Sequence, residues 1–260
     1  MSHSLAIETT LPPMLLRAVQ FPAAVTHGFT TRQGGVSQGR FATLNLGGRW
    51  GDDPEAVAEN LRRVARAGGF EPEALVRVRQ VHGDAVLAAH ELTEHSEADA
   101  LWRHRDHPGP ARVVAVMTAD CVPILLCDRH ASVVAAVHSG WRGTVANIAA
   151  RTVETLCAAG ADPGDLLAAI GPCIEVDAFE VGEEVAAEFD ERFVARAGYE
   201  KPHVDLVACV RAQLQDAGLP ANQIERVGGC THASPEIYFS YRRDGAGIGQ
   251  QLSFVGLLRR

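Results

Sequence analysis

Several absences narrow the reading before any motif is considered. The six cysteines (Cys121, Cys127, Cys157, Cys173, Cys209 and Cys230) include no C-x-x-C pair, and the N-terminus lacks a basic segment followed by an apolar one. Together these lead to the expectation of a reduced, cytoplasmic protein. No apolar run reaches the ~20 residues that a membrane span needs. The longest, 113–127, is interrupted by Thr118, Asp120 and Pro123. Positive charge is not in excess either: Lys+Arg number 24 against Asp+Glu 32, a formal net charge of −8. That balance repels a phosphate backbone and argues against a nucleic-acid partner. There is no internal repeat and no low-complexity linker, which leaves 260 residues, 47% hydrophobic and 22% charged, to build one large core.

Periodicity and punctuation then divide the chain. A Gly-rich loop covers 30–39. A helix is predicted over 53–67, with Pro54 in its first turn and Gly68 as its stop. Alternation over 75–87 predicts a strand interrupted at His82-Gly83-Asp84, and 103–110 (RHRDHPGP) reads as an exposed loop. The runs 112–118, 122–127 and 132–137 read as core strands, and helices are predicted over 144–158, 182–197 and 204–217. Strands and helices mix without strict alternation, so the expected class is α/β, a mixed sheet flanked by helices.

The stretch TADCVPILLCDRHASVVAAVHSGWRG (118–143) is the most informative. Two β-rich runs flank the short polar break at Asp128-Arg129-His130. A hairpin centred on Arg129 and His130 pairs 127 with 132, and the same register sets Cys121 opposite His138. Opposed side chains have Cβ atoms ~4.5–5.5 Å apart, close enough for a thiolate and an imidazole to share a metal ion or a proton. Pro123 cannot donate to a ladder, so this register asks for an edge position or a bulge there. A catalytic zinc normally takes three protein ligands. His82, in RQVHGD where a strand run meets Gly83, is the candidate third. The bland alternative is a turn-capping His82 and a merely buried Cys121.

The segments FTTRQGGVS, LNLGGRWGDDPEAVAENLRRV, RQVHGDAV, EADAL, TADCVPILL, HSGWRGT, AIGPCI, FEVGEEV and FSYRRDG occur in that order. The set resembles the laccase-domain family, also called multicopper polyphenol oxidoreductases, which includes YfiH-type proteins and bacterial purine nucleoside phosphorylases. The resemblance runs from about Thr26 onward, giving an expected single catalytic domain over 26–260 behind a lead-in at 1–25. It implies one α/β domain of mixed β-sheets sandwiched between helix layers, with the active site at strand ends. It also implies a Zn2+ ion held by His82, Cys121 and His138. The implied activity is phosphorolysis of purine nucleosides (adenosine, inosine, methylthioadenosine), with adenosine deamination as a companion. Another branch is associated with editing of muropeptide precursors.

The copper label can be set against ligand arithmetic. A multicopper oxidase needs paired His-x-His motifs for its trinuclear cluster, and none of the eleven histidines forms one. Any Cys/His site binds copper, so adventitious metal could give weak oxidase activity.

Other residues divide between functional and structural readings. Arg142, in the Gly140-Trp141-Arg142-Gly143 turn ahead of a predicted helix, suits phosphate or an ordinary N-terminal turn. Arg32 in TTRQGG is the second candidate phosphate contact and a candidate catalytic group. Asn45 could read a purine edge or stabilise its own turn. Cys173 could line the pocket or serve as a small buried hydrophobe. Asp120 should face away from Cys121 and support the site without ligating. Arg242 and Arg243, next to Phe239 and Tyr241, suit a phosphate, a neighbouring subunit or surface ion pairs.

Three enzyme readings follow. The first is a zinc-dependent purine nucleoside phosphorylase whose partners are a nucleoside and phosphate, with Cys121, His138 and Arg32 in its machinery. The second is a Cys–His amide hydrolase with Cys121 as nucleophile and His138 as base. A copper-dependent polyphenol oxidase is the weakest. Outside catalysis, the site could be a metal that only holds the fold together.

Overall fold

The computed structural model describes residues 12–257. In chain order the elements are β1 (Leu15–Leu16), β2 (Val25–Thr30), α1 (Pro54–Gly68), β3 (Leu75–Val76), β4 (Val86–Ala88), β5 (Ala100–His104), β6 (Val113–Thr118), β7 (Val122–Asp128) and β8 (Val133–Ser139). There follow α2 (Trp141–Val145), α3 (Ile148–Ala158), β9 (Leu166–Ile170), α4 (Glu183–Ala186), β10 (Val194–Ala195), β11 (His203–Val204), α5 (Leu206–Asp216), β12 (Ile224–Arg226), α6 (Tyr241–Asp244) and β13 (Gln251–Leu257). The first eleven positions of the expected lead-in lie outside the described residues. Further along it, β1 pairs with β2.

The strands form a five-stranded sheet, ordered β1-β2-β13-β6-β3, a six-stranded sheet, ordered β12-β9-β7-β8-β5-β4, and a separate antiparallel pair, β10-β11. Strand periodicity explains how the two larger sheets stack. In β7, Leu125 and Cys127 face one way and join Val114, Val116 and Val255 of the other sheet. Ile124 and Leu126 face the other way, onto Ile148 and Val153 of α3 and Val210 and Leu214 of α5. The outer face of the five-stranded sheet, through Ala115, Leu252 and Phe254, takes Val64 of α1. The result is four layers, helix, sheet, sheet, helix. Both faces of the central strands are buried, so β7 and β8 are buried at every position and read as near-continuous apolar runs.

Helix α1 matches its local signals. Asp53 accepts a hydrogen bond from the Glu55 N–H, Pro54 opens the helix, and the left-handed C-cap is Gly69 (φ 72°), one residue beyond the expected stop. Elsewhere local signals mislead. The helix expected over 144–158 starts earlier, at Trp141, and is split at Asn147, whose φ of 63° closes α2 and starts α3. That expected over 182–197 shrinks to α4, because the Asp190 carboxylate accepts from the Arg192 N–H and opens a separate turn. The strand expected over 75–87 becomes β3 and β4, which belong to different sheets. The loop expected from Arg103 starts after His104; Arg103 is 2% exposed, and its guanidinium donates to the His107 carbonyl.

The hairpin register is also corrected. Strands β7 and β8 pair Pro123 with His138 and Cys127 with Val134, two residues away from the expected register. The expected two-residue turn requires positive φ at both central residues, which Arg and His disfavour. A longer loop forms, with Ala131 at φ 53°. The Asp128 carboxylate closes it by accepting from the N–H groups of Ser132 and Val133. A slip of two preserves which side chains share a face, so Cys121 and His138 remain on the same side. Pro123 needs neither an edge nor a bulge. Its carbonyl accepts from Gly171 N–H, and the Gly171 carbonyl, which a residue with an N–H would engage there, takes the Arg226 guanidinium instead.

Candidate metal centre and active site

The chain leaves the five-stranded sheet at Thr118, the end of β6, and enters the six-stranded sheet at Val122, the start of β7. The three crossover residues turn sharply at Asp120, whose φ is 92°. That conformation is held by the carboxylate itself. It accepts from the Thr231 hydroxyl (2.5 Å), the Ser240 hydroxyl (3.1 Å) and the Arg242 N–H (2.6 Å). Asp120 is thus a support, as expected, but through the turn its carboxylate holds and not through strand alternation with Cys121, since neither residue lies in a strand. Its neighbour Cys121 is left at the strand end, beside the last turn of β8 that carries His138.

His82 arrives from the segment between β3 and β4. It too has positive φ, 61°. This turn directs three consecutive N–H groups, of Val81 (3.2 Å), His82 (3.0 Å) and Gly83 (2.7 Å), onto the carboxylate of Asp99. The same carboxylate accepts from His138 Nδ1 at 2.7 Å, and the Asp99 carbonyl accepts from the His138 N–H at 2.7 Å. One fully buried aspartate therefore holds the His82 loop and fixes the His138 ring, leaving Nε2 of His138 as its second nitrogen.

The ligand atoms of His82, Cys121 and His138 lie within 4.8 Å of one another. The two imidazoles meet edge to face, with centroids 4.8 Å apart. His82 is exposed, Cys121 half-buried and His138 buried, so the cluster opens to solvent on one side. Gly140, the N-cap of α2, sits against all three. A Cβ there would lie 3.1 Å from His82 Cδ2, 3.2 Å from Cys121 Sγ and 3.7 Å from His138 Cε1. Gly143 brings α2 against the His82 loop in the same way, since a Cβ would come within 2.9 Å of the Gly83 carbonyl. Two imidazoles and a thiol converging on a glycine-lined opening, with one imidazole anchored by a carboxylate, fit a borderline-soft divalent cation such as zinc.

Cys121 and His138 each favour the other's charged form. Burial pushes the Cys121 thiol up, but the charge and hydrogen bond of His138, with those of His82, outweigh it and bring Cys121 down to about 6. Burial correspondingly disfavours the His138 cation, and the Cys121 charge and the Asp99 hydrogen bond reverse that, raising it to about 9. Asp99 is also buried, which alone would raise it; the bonds from His138 and the backbone hold it below the ordinary carboxylate value.

The other residues singled out in the sequence each make contacts of their own. Arg32 donates from Nε to the Ala42 carbonyl and from Nη1 to the Pro235 carbonyl, and it stacks on Phe239. Asn45 is fully buried, its amide bonded to both the N–H and the carbonyl of Gly47, to Asp52 and to the Gln250 N–H. Its groups are taken up in holding a turn. Cys173 is buried and pushed up to about 12 by that burial. Arg142 is exposed, over its neighbour Trp141 at 4.2 Å. Arg243 fastens the 231–238 segment by donating to the carbonyls of Thr231, His232 and Tyr238, and Arg242 donates to that of Glu180. Sequence reasoning assigned no role to Asp99 or Gly140. A signal for Asp99 existed: a single carboxylate in the otherwise apolar Ala98–Leu101 run must have buried partners.

Comparison with known proteins identifies the family and supports the fold. The model of the multi-copper polyphenol oxidoreductase laccase family matches residues 26–258. A purine nucleoside phosphorylase of Deinococcus radiodurans is 42% identical over 253 residues, covering 95% of this chain and 94% of that protein. The purine nucleoside phosphorylase YfiH of Escherichia coli is 38% identical over 245 residues, covering 91% and 96%. Among solved structures, a hypothetical protein YfiH of Bacillus licheniformis superposes with a TM-score of 0.85 at 30% identity, covering 95% of this chain and 97% of that one. A Neisseria meningitidis protein gives 0.82 at 35% identity, covering 95% and 99%.

Proposed function

The chain belongs to the multi-copper polyphenol oxidoreductase laccase family, and we propose that it is a zinc-dependent purine nucleoside phosphorylase. The observation that carries this is the convergence of His82, Cys121 and His138 at an opening between the sheets, in a chain whose relatives named for that activity are 38–42% identical over nearly their full length. In the reaction the C1′–N bond of the nucleoside breaks, a C1′–O bond to phosphate forms, and the departing purine takes a proton. His82, Cys121 and His138 would hold the zinc, which when bound supplies Lewis acidity and a water of lowered pKa.

The chain's own residues do the rest. Asp99 keeps the His138 ring in one orientation and one tautomer. Arg142, exposed at the start of α2 beside Gly140, brings a guanidinium to attract phosphate. Arg32 is in this reading a fastener of the 32–43 loop, with its charge adding to the anion field from a distance. The exposed side of His82 leaves room for a nucleoside of adenosine, inosine or methylthioadenosine type. Deamination of adenosine at the same centre would be a separate step, in which water adds at C6 of the purine and ammonia leaves, so the base edge rather than C1′ would face the metal site.

The test is incubation of zinc-replete protein with inosine or adenosine, with and without phosphate, following ribose-1-phosphate and free base. Phosphate-dependent base release is expected; its absence overturns the reading. The geometry also favours a second reading: Cys121 and His138 are neighbours that each stabilise the other's charged form, the pairing that a Cys–His amide hydrolase uses. A muropeptide precursor is then the substrate class. Acylation of Cys121 in protein that retains one equivalent of zinc would favour that hydrolase, and protection of the thiol by zinc counts against it.

A further inference from the structure

We propose that Trp50 and Tyr241 form the stacking wall of a subsite for the flat heteroaromatic base at the rim of the metal centre, an inference that rests on the nucleoside-cleaving function above. The two rings stack, with centroids 5.9 Å apart and planes inclined by 28°. Neither ring belongs to any of the three hydrophobic cores. Tyr241 is 51% exposed, and among the described residues it is the one aromatic in the set of large exposed hydrophobic side chains. Water-facing stacked aromatics that serve no core are spare surface for a planar ligand.

Two hydrogen bonds tie the segments that carry these rings to the segments that carry metal ligands. In one, the Arg242 N–H donates to Asp120 at 2.6 Å, which sets Tyr241 next to the residue preceding Cys121. In the other, Arg77 donates to the Leu46 carbonyl at 2.8 Å, which ties the loop carrying Trp50 to the segment that runs into His82. Val81, adjoining His82, adds a second exposed apolar side chain, 43% exposed. Tyr241, backed by the indole on one side, leaves its outer face to solvent, where a base can stack. Every nucleobase has a π-face, so such a wall accepts adenine and hypoxanthine alike, and specificity between them must come from edge contacts.

The experiment uses the full zinc-loaded chain. Trp50→Ala and Tyr241→Ala should each raise KM for inosine roughly tenfold, the order of one lost base–aromatic stack, while KM for phosphate, zinc content and the melting profile stay as in the native chain. Trp50→Phe should restore most of the loss. Free hypoxanthine should quench tryptophan fluorescence in the native chain and in Trp102→Phe and Trp141→Phe, but not in Trp50→Phe, a readout that needs no turnover. An unchanged KM for inosine in both alanine variants, or quenching that persists in Trp50→Phe, overturns the proposal. The two readings fail separately. Trp50-dependent quenching without phosphorolysis removes the enzymatic function and keeps the subsite, whereas phosphorolysis indifferent to both aromatics does the reverse.

Discussion

Replacing Gly140 by Ala isolates the geometry of the donor cluster from the stability of the fold. The backbone there, at φ −72° and ψ 170°, is open to any residue, so alanine introduces no conformational strain. Restricting the unfolded chain should favour the native state by about 0.4–1 kcal/mol. The added methyl falls at 3.1 Å and 3.2 Å from His82 Cδ2 and Cys121 Sγ, so these side chains must give by a few tenths of an ångström. Metal ligands tolerate displacements of only about 0.2 Å. Zinc affinity should therefore fall about 10–100-fold, as it does when groups that support metal ligands are altered. Urea melts of the metal-free variant should stay within about 1 kcal/mol of the native chain. Chelator competition measures the first quantity. A zinc Kd within twofold of the native value would refute the reasoning, because the three side chains could not then be converging around Gly140.

Further outcomes are expected at the same centre. Cys121→Ser, which exchanges a thiolate for a neutral hydroxyl, should release zinc and abolish phosphorolysis together, whereas His130→Ala in the exposed hairpin loop should spare both; metal content and base release read each. Asp99→Asn leaves two of the four donors on that carboxylate facing an NH2 group, at about 1–3 kcal/mol each, so both the zinc affinity and the urea midpoint should drop. In metal-free protein, iodoacetamide labelling of Cys121, followed by peptide mass, should rise with pH through a midpoint near 6 as the thiolate forms, and added zinc should suppress it. A midpoint near the ordinary thiol value would mean that His138 and His82 do not face the sulfur.

What could be seen in the sequence depended on how locally each feature is encoded. Helix α1 was legible because Asp53, Pro54 and the Gly68-Gly69 pair act within a turn of the helix they bound. Strands β6, β7 and β8 were legible because burial on both faces leaves apolar runs that need no partner to be recognised. The juxtaposition of Cys121 and His138 survived a register wrong by two because facing depends only on parity. It would not have survived an error of one. The helix over 182–197 failed for the opposite reason: its apolar spacing persists past Ala186, but a single carboxylate, Asp190, offers the backbone a competing bond. The long helix over 144–158 failed at Asn147, whose left-handed backbone breaks it in two although the apolar spacing runs on.

The same argument explains why the supports of the site were less legible than its ligands. Three aspartates do one kind of work here, each taking N–H or O–H donors to hold a loop at a strand end. Asp128 bonds N–H groups four and five residues away, within reach of a turn signal. Asp99 bonds a loop 16–18 residues before it and a histidine 39 residues after it. Asp120 bonds groups 111–122 residues downstream. Legibility falls along that series as sequence separation grows, because a buried carboxylate announces that donors exist without saying where they are. His82, Cys121 and His138 stand out by residue type, whereas the oxygen atoms that aim them take their meaning from the fold. Asp99 meets His138 through the pairing of β5 with β8 within the six-stranded sheet, whereas Cys121 comes from the crossover that links that sheet to the other, so the complete donor set depends on contacts within one sheet and on a connection between the two.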